Sequence, residues 1–117
     1  MATGPDTLSR TPTADDPILT EVVRRLVEAY QPERIYLFGS VARGDAGPDS
    51  DYDIMVVAPD GASPGRLRSR LAYKALRGTG VAADVVVWGK SGFDRRARVV
   101  SSLPAAVCRE GRLLYGG

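Results

Sequence analysis

"LFGSVARGDAGPDSDYDIMVV", residues 37–57, is the stretch on which the fold turns. It follows Arg34, Ile35 and Tyr36, and together "RIYLFG" reads as a short strand closed by Gly39. Residues 40–50 read as a turn and loop, punctuated by Gly44, Gly47 and Pro48, and Ser40 opens a segment that can turn helical. "DYDIMVVA", residues 51–58, reads as a second strand. Its positions Ile54 to Val57 are all apolar, so both faces are expected to be covered and the strand to lie centrally in its sheet. Side chains alternate along a strand, so Asp51 and Asp53 project the same way, about 7 Å apart. Two carboxylates that close repel, and burial without a counter-charge would favour their neutral forms. A divalent ion that prefers oxygen ligands, such as magnesium, removes the conflict.

Working outward, residues 1–14 are rich in Thr, Pro, Gly and Ser and read as a flexible tail; residues 15–117 read as one domain. Asp16 can cap a helix that Pro17 starts, with Ile18, Val22, Leu26 and Ala29 or Tyr30 at helical spacing and Pro32 as the stop. Downstream, Ser63 and Pro64 predict the start of a helix with Leu67, Leu71 and Ala75 on its inner side and Gly78 at its end. "VAADVVVW" predicts a third strand, "SGFDRRARVV" and "LPAAVCREG" two short helices, and "RLLY" a small last strand. A helix between the second and third strands is the usual link for a parallel pair. The expected fold class is therefore α/β (α+β), a small mixed sheet flanked by helices.

The third strand sharpens the chemistry. Asp84 stands alone among Val81, Val85, Val86 and Val87, where a carboxylate is costly unless paired or coordinated. If the second and third strands are neighbours, Asp84 completes a triad with Asp51 and Asp53. Gly39 allows close backbone approach to a ligand, and the amides at a helix start together with a serine hydroxyl favour phosphate. Arg43 contacts phosphate, braces the acidic cluster, or makes an ion pair of purely structural value. A phosphate cradle beside three carboxylates suits two-metal phosphoryl or nucleotidyl transfer.

Composition narrows the field further. The chain has 117 residues, no histidine and one cysteine, Cys108. Imidazole-based triads and most zinc sites are thereby excluded, as is an internal disulfide. Cys108 is expected to pack, Lys74 to lie on a solvated helix face, and Tyr30, Tyr36, Tyr73 and Trp88 to sit in the core or at its rim. A net charge of +2 gives no reason to expect a direct nucleic-acid partner. No apolar run reaches membrane-span length, and no signal peptide is apparent, so a cytoplasmic protein with no membrane association is expected. An EF-hand starting at Asp49 fails, because its sixth position would be Ile54 and its twelfth Asp60; no P-loop string occurs.

Gly39-Ser40, ten intervening residues and Asp51-x-Asp53 resemble the GS-x10-DxD signature of the DNA-polymerase-beta-like nucleotidyltransferase superfamily. The fuller string resembles its small stand-alone members, the minimal nucleotidyltransferases. "LRGTGVAADVVVW" is similar to their strand carrying the third aspartate and "SLPAAVCREGRLLYGG" to their closing helix and strand, so the likeness runs over residues 17–116. It implies the polymerase-beta-like nucleotidyltransferase fold. It implies that Gly39 and Ser40 hold the triphosphate, with Arg43 in the same string. Asp51 and Asp53 would bind two magnesium ions, and Asp84 the one that activates the nucleophile. It implies a HEPN-domain toxin as partner in a joint oligomer, and an antitoxin that transfers AMP from ATP to a tyrosine hydroxyl of that toxin. Two other expectations stand beside it. One is a binding module that neutralises its partner by contact alone; the other is a small-molecule, antibiotic-type nucleotidyltransferase.

Overall fold

The computed structural model describes residues 17–44, 51–62 and 68–116. The expected tail 1–14, the cap Asp16, the loop 45–50 and the helix-start residues Ser63, Pro64 and Leu67 lie outside these segments. Within them the order is α1 (Pro17–Tyr30), β1 (Arg34–Phe38), α2 (Gly39–Arg43), β2 (Tyr52–Ala58), α3 (Arg70–Ala75), β3 (Ala83–Gly89), α4 (Lys90–Arg96), α5 (Leu103–Glu110) and β4 (Arg112–Gly116). The strands form one mixed sheet in the order β3-β2-β1-β4. β1 pairs antiparallel with both β2 and β4, while β2 and β3 are parallel. The parallel pair is the one whose connection holds α3, as chain geometry requires.

β2 is interior, and Ile54, Met55, Val56 and Val57 are all fully buried. Each such side chain contributes about 1.5–3 kcal/mol of apolar burial. Alternation divides them between two cores. Ile54 and Val56 join Ile35, Leu37 and Val85 beneath α1 and α3; Met55 and Val57 join Tyr36, Phe38, Val86 and Trp88 beneath Phe93 of α4 and Val107 of α5. On that second side the Tyr36 and Phe93 rings stack at 5.5 Å between centroids. The Arg34 guanidinium lies over Phe93 and bonds Asp94 at 2.7 Å, so α4 is fastened to β1 by apolar and ionic contacts together. That guanidinium, with Lys90, holds the Asp94 carboxyl below the usual carboxylate range.

Several sequence expectations shift by a residue. α1 starts at Pro17, but its inner stripe is Leu19, Val22, Leu26 and Tyr30, and Ile18 is 51% exposed. Ile18 and Leu19 both fall within a turn of Val22, and tertiary packing chose the second. In α3 the buried positions are Ala72 and Leu76, with Leu71 and Ala75 half-buried, so the stripe is rotated from the expected one. Cys108 is exposed, on the outer side of α5. Tyr30 is in the core and Tyr73 is not, at 54% exposure. The turn after β1 is a short helix, α2, for its first five residues.

Candidate active site

The register of the parallel pair decides where the chemistry sits. Asp53 of β2 is the direct partner of Asp84 of β3, flanked by Tyr52 opposite Ala83 and Ile54 opposite Val85. Partners across a parallel pair point to the same face, with backbones about 4.8 Å apart. Asp53 shares that face with Met55 and Val57, and Asp84 with Val86 and Trp88, the side of the sheet covered by α4 and α5. Both aspartates lie at the N-terminal ends of their strands, where Asp84 is exposed and Asp53 half-buried. Asp51 comes one residue before β2 and is exposed. The ladder continues toward it through the Tyr52 amide, which donates to the Ala82 carbonyl at 3.0 Å. The expected adjacency of the second and third strands is thus present. Asp53 and Asp84 are brought together, and Asp51 stands a step outside the paired ladder.

The glycine–serine turn arrives at the same place. Phe38, the last residue of β1, is the antiparallel partner of Asp53. Gly39 then turns the chain with a φ of 76°, a left-handed conformation that glycine adopts without strain. Its Cα rests against the Asp53 side chain: an added Cβ would fall onto the carboxylate, 3.0 Å from Cγ. Gly39 is therefore required twice, by backbone conformation and by the space Asp53 occupies. Ser40 and Arg43 follow in the backbone of α2. α2 packs on β1, β2 and α5, which anchors the turn to both strands that carry the site and to the helical layer above it. The end of α5 comes close to β1 at Gly111, where a Cβ would lie 2.8 Å from the Leu37 carbonyl oxygen. The contact of Gly39 with Asp53 is the functional detail that sequence reading missed. Fourteen positions separate the two, and the only hint was that both belong to one motif.

Among the described residues, no three His, Cys, Asp or Glu side chains are gathered into a ready-made metal cage. The donor chemistry nonetheless suits a hard cation. Carboxylates converge from adjacent strands, the outer ones are open to solvent, and magnesium usually completes its shell with water and substrate phosphate. Asp53 and Asp84 are placed as the pair that could hold it, with Asp51 exposed two residues ahead of Asp53.

Comparison with known proteins agrees with this geometry. A family model described as a nucleotidyltransferase domain matches residues 19–105, from α1 into α5 and across every residue of the site. The chain belongs to the nucleotidyltransferase domain family. Solved structures similar to it include a toxin–antitoxin crystallised with AMP-PNP, at 28% identity and a TM-score of 0.55, covering 82% of this chain and 72% of the other. A protein described as a nucleotidyltransferase from Sulfolobus solfataricus is 28% identical, with a TM-score of 0.50 and coverage of 67% and 69%. A mutant of the toxin–antitoxin MntA-HpeT is 25% identical, with a TM-score of 0.52 and coverage of 81% and 71%. No curated protein sequence gives a significant match. The resemblance to minimal nucleotidyltransferases and the mixed-sheet nucleotidyltransferase fold are both borne out. Among the described residues no helix is long and apolar enough to cross a membrane.

Proposed function

We propose that this nucleotidyltransferase is a magnesium-dependent protein adenylyltransferase that transfers AMP from ATP to a tyrosine hydroxyl of a HEPN-domain toxin, and so acts as its antitoxin in the cytoplasm. The observation that carries the reading is the registered pair of Asp53 and Asp84 with Gly39 pressed against the Asp53 carboxylate. Magnesium, when bound, would neutralise the triphosphate and lower the pKa of the attacking hydroxyl. Asp51 and Asp53 would hold it against the phosphates, and Asp84 would hold it beside the acceptor. Gly39 and Ser40 would seat the triphosphate at the start of α2, with Arg43 nearby on the same helix. The acceptor oxygen would attack the α-phosphorus in line, one P–O bond forming as the bond to pyrophosphate breaks. Two neighbours support the biological role. One is a toxin–antitoxin with AMP-PNP. The other is a toxin–antitoxin mutant carrying glutamate for two aspartates spaced as Asp51 and Asp53 are.

The test is to incubate the purified protein with the helical protein encoded beside it, magnesium and α-labelled ATP, and to weigh both chains by mass spectrometry. An AMP-sized gain on a partner tyrosine, absent with Asp53→Ala, is the expected result. Neutralisation of the partner with no mass gain would instead establish the contact-only binding module.

A further inference from the structure

The side of the molecule away from the site carries a surface that nucleotidyl transfer does not use. Between Asp60 and Asp84 there is no acidic residue, while Arg66, Arg68, Arg70, Lys74 and Arg77 fall in the interval. Four exposed residues of the α3 region, Arg70, Tyr73, Lys74 and Arg77, stand at i, i+3, i+4 and i+7. Arg70, Tyr73 and Lys74 lie within α3 and, at 100° per residue, fall within about 100° of arc, while Arg77 follows in the turn after it. The buried Ala72 and Leu76 occupy the opposite side and seat the helix on the core shared with α1. The arrangement is held from beneath: Tyr30 donates its hydroxyl to the Arg68 carbonyl, and Arg25 bonds the Ala75 and Arg77 carbonyls at 3.2 and 3.0 Å.

Some cations elsewhere are ion-paired and others, Arg95, Arg96, Arg98 and Arg112, are exposed with no carboxylate partner among the described residues, so what sets this face apart is the ring among its charges. Arg24 and Arg25 are bound to Glu21, Arg34 and Lys90 to Asp94, and Arg109 to Glu110. Among the described residues, Arg70, Lys74 and Arg77 have no carboxylate partner. On the neighbouring α1, Glu21 and Glu28 are already engaged by Arg24. Three cations without a carboxylate partner, on α3 and the turn after it, produce a local positive field that the whole-chain charge of +2 averages away.

Tyr73 decides what kind of partner fits. It is a large ring, 54% exposed, standing in sequence among the three charges. Arginine and tyrosine also serve protein interfaces, but there the centre of the patch is apolar and depleted of charge, whereas here three cations surround a single ring. A face made of cations around one ring has the composition of a single-stranded polynucleotide site, where cations track phosphates and an aromatic ring stacks a base. We infer that the exposed face of α3 and of the turn that follows it, formed by Arg70, Tyr73, Lys74 and Arg77, binds single-stranded nucleic acid. The site lies across the sheet from Asp53 and Asp84 and is independent of the transfer reaction.

The experiment is fluorescence anisotropy on the full chain without nucleotide. The probes are fluorescein-labelled oligouridine and oligothymidine of about twelve nucleotides, titrated between about 50 and 200 mM salt. Binding is expected, with a log–log salt slope near about −2 for three cations on a single strand. Arg70→Glu/Lys74→Glu/Arg77→Glu should weaken it more than about tenfold. Arg95→Glu/Arg96→Glu/Arg98→Glu, with the same change of charge at another exposed segment, should not. Tyr73→Ala, which keeps every charge, should weaken it about tenfold through lost stacking. Circular dichroism confirms that each variant is folded, and Arg70→Gln/Lys74→Gln replaces the triple variant if it is not. Tighter binding of oligouridine or of oligothymidine identifies the nucleic acid. No anisotropy change with either probe, or equal loss in the two triple variants, overturns the inference. So does labelled polyglutamate binding as tightly as the oligonucleotides with Tyr73→Ala silent, which would make the face a dock for acidic proteins.

Discussion

The two faces of the sheet are built from the same strands and serve different ends. One face presents Ile35, Leu37, Ile54, Val56 and Val85 to α1 and α3. The other presents Tyr36, Phe38, Met55 and Val57 to α4 and α5, and then, at one end, Asp53 and Asp84. On the first face these positions of β1, β2 and β3 are given to packing. On the second, packing fills the middle, and the helices leave the carboxylate end open. The difference teaches that a small domain can separate stability from chemistry by strand parity alone: a position's face decides which of the two it supports.

Substitutions can break that separation or sharpen it. The largest effect is expected on the chemical side. Asp84→Asn should lower nucleotidyl transfer on the order of 10³-fold, since it removes the charge proposed to hold the metal beside the acceptor. Its metal-free melting temperature should not fall, because Asp84 is exposed and makes no ion pair among the described residues; calorimetry and a transfer assay run in parallel read both. Next comes the packing side. Leu26→Ala in α1 should cost about 3 kcal/mol in urea unfolding, while transfer per folded molecule stays unchanged. A loss of specific activity there would show that the faces are coupled.

Gly39→Ala is the substitution that should cross the boundary. A left-handed conformation costs an alanine about 1–2 kcal/mol, and its Cβ would displace the Asp53 carboxylate. Stability and transfer should fall together, seen in the melt and in the rate. A smaller effect is expected at alkaline pH. Burial pushes the Tyr30 hydroxyl up to about 12 from its ordinary 10.0. The folded state favours the neutral form, so this stability is present below pH 10.0 and is lost as pH rises toward about 12. Tyr30→Phe should flatten that limb of the stability profile. The smallest effect is at acid pH. Arg24 and then Arg25 hold Glu21 down to about 2 from 4.5. Its contribution is present above 4.5 and fades toward about 2. On so exposed a side chain, Glu21→Gln should barely move the melting temperature.

Much of this was legible in the primary structure, for identifiable reasons. The unbroken apolar run Ile54–Val57 required an interior strand, and the helix in the β2–β3 connection implied their parallel pairing. Asp84 followed from its isolation among valines. The place of β1 between β2 and β4 was not legible, because "RLLY" is too short to announce a partner. Ile18 was mistaken for Leu19 because both satisfy the helical period and only the packed core distinguishes them. Cys108 was assigned to packing by residue type, yet on α5 it lies outward beside the buried Val107. The meeting of Gly39 with Asp53 depends on β1–β2 register, which no local pattern encodes.

The parallel pairing of β2 with β3 has a consequence for the timing of activity. Gly39, Asp51 and Asp53 come from the first half of the chain and Asp84 from beyond the α3 crossover. A chain still emerging from the ribosome therefore displays the turn and two of its acids before the third exists. With Asp84 in its proposed role, chemistry begins only after the crossover has closed and β3 has docked, so the reaction itself reports that folding is complete. Cutting the chain in the turn after β2 would give two inert halves whose reunion could be read as catalysis.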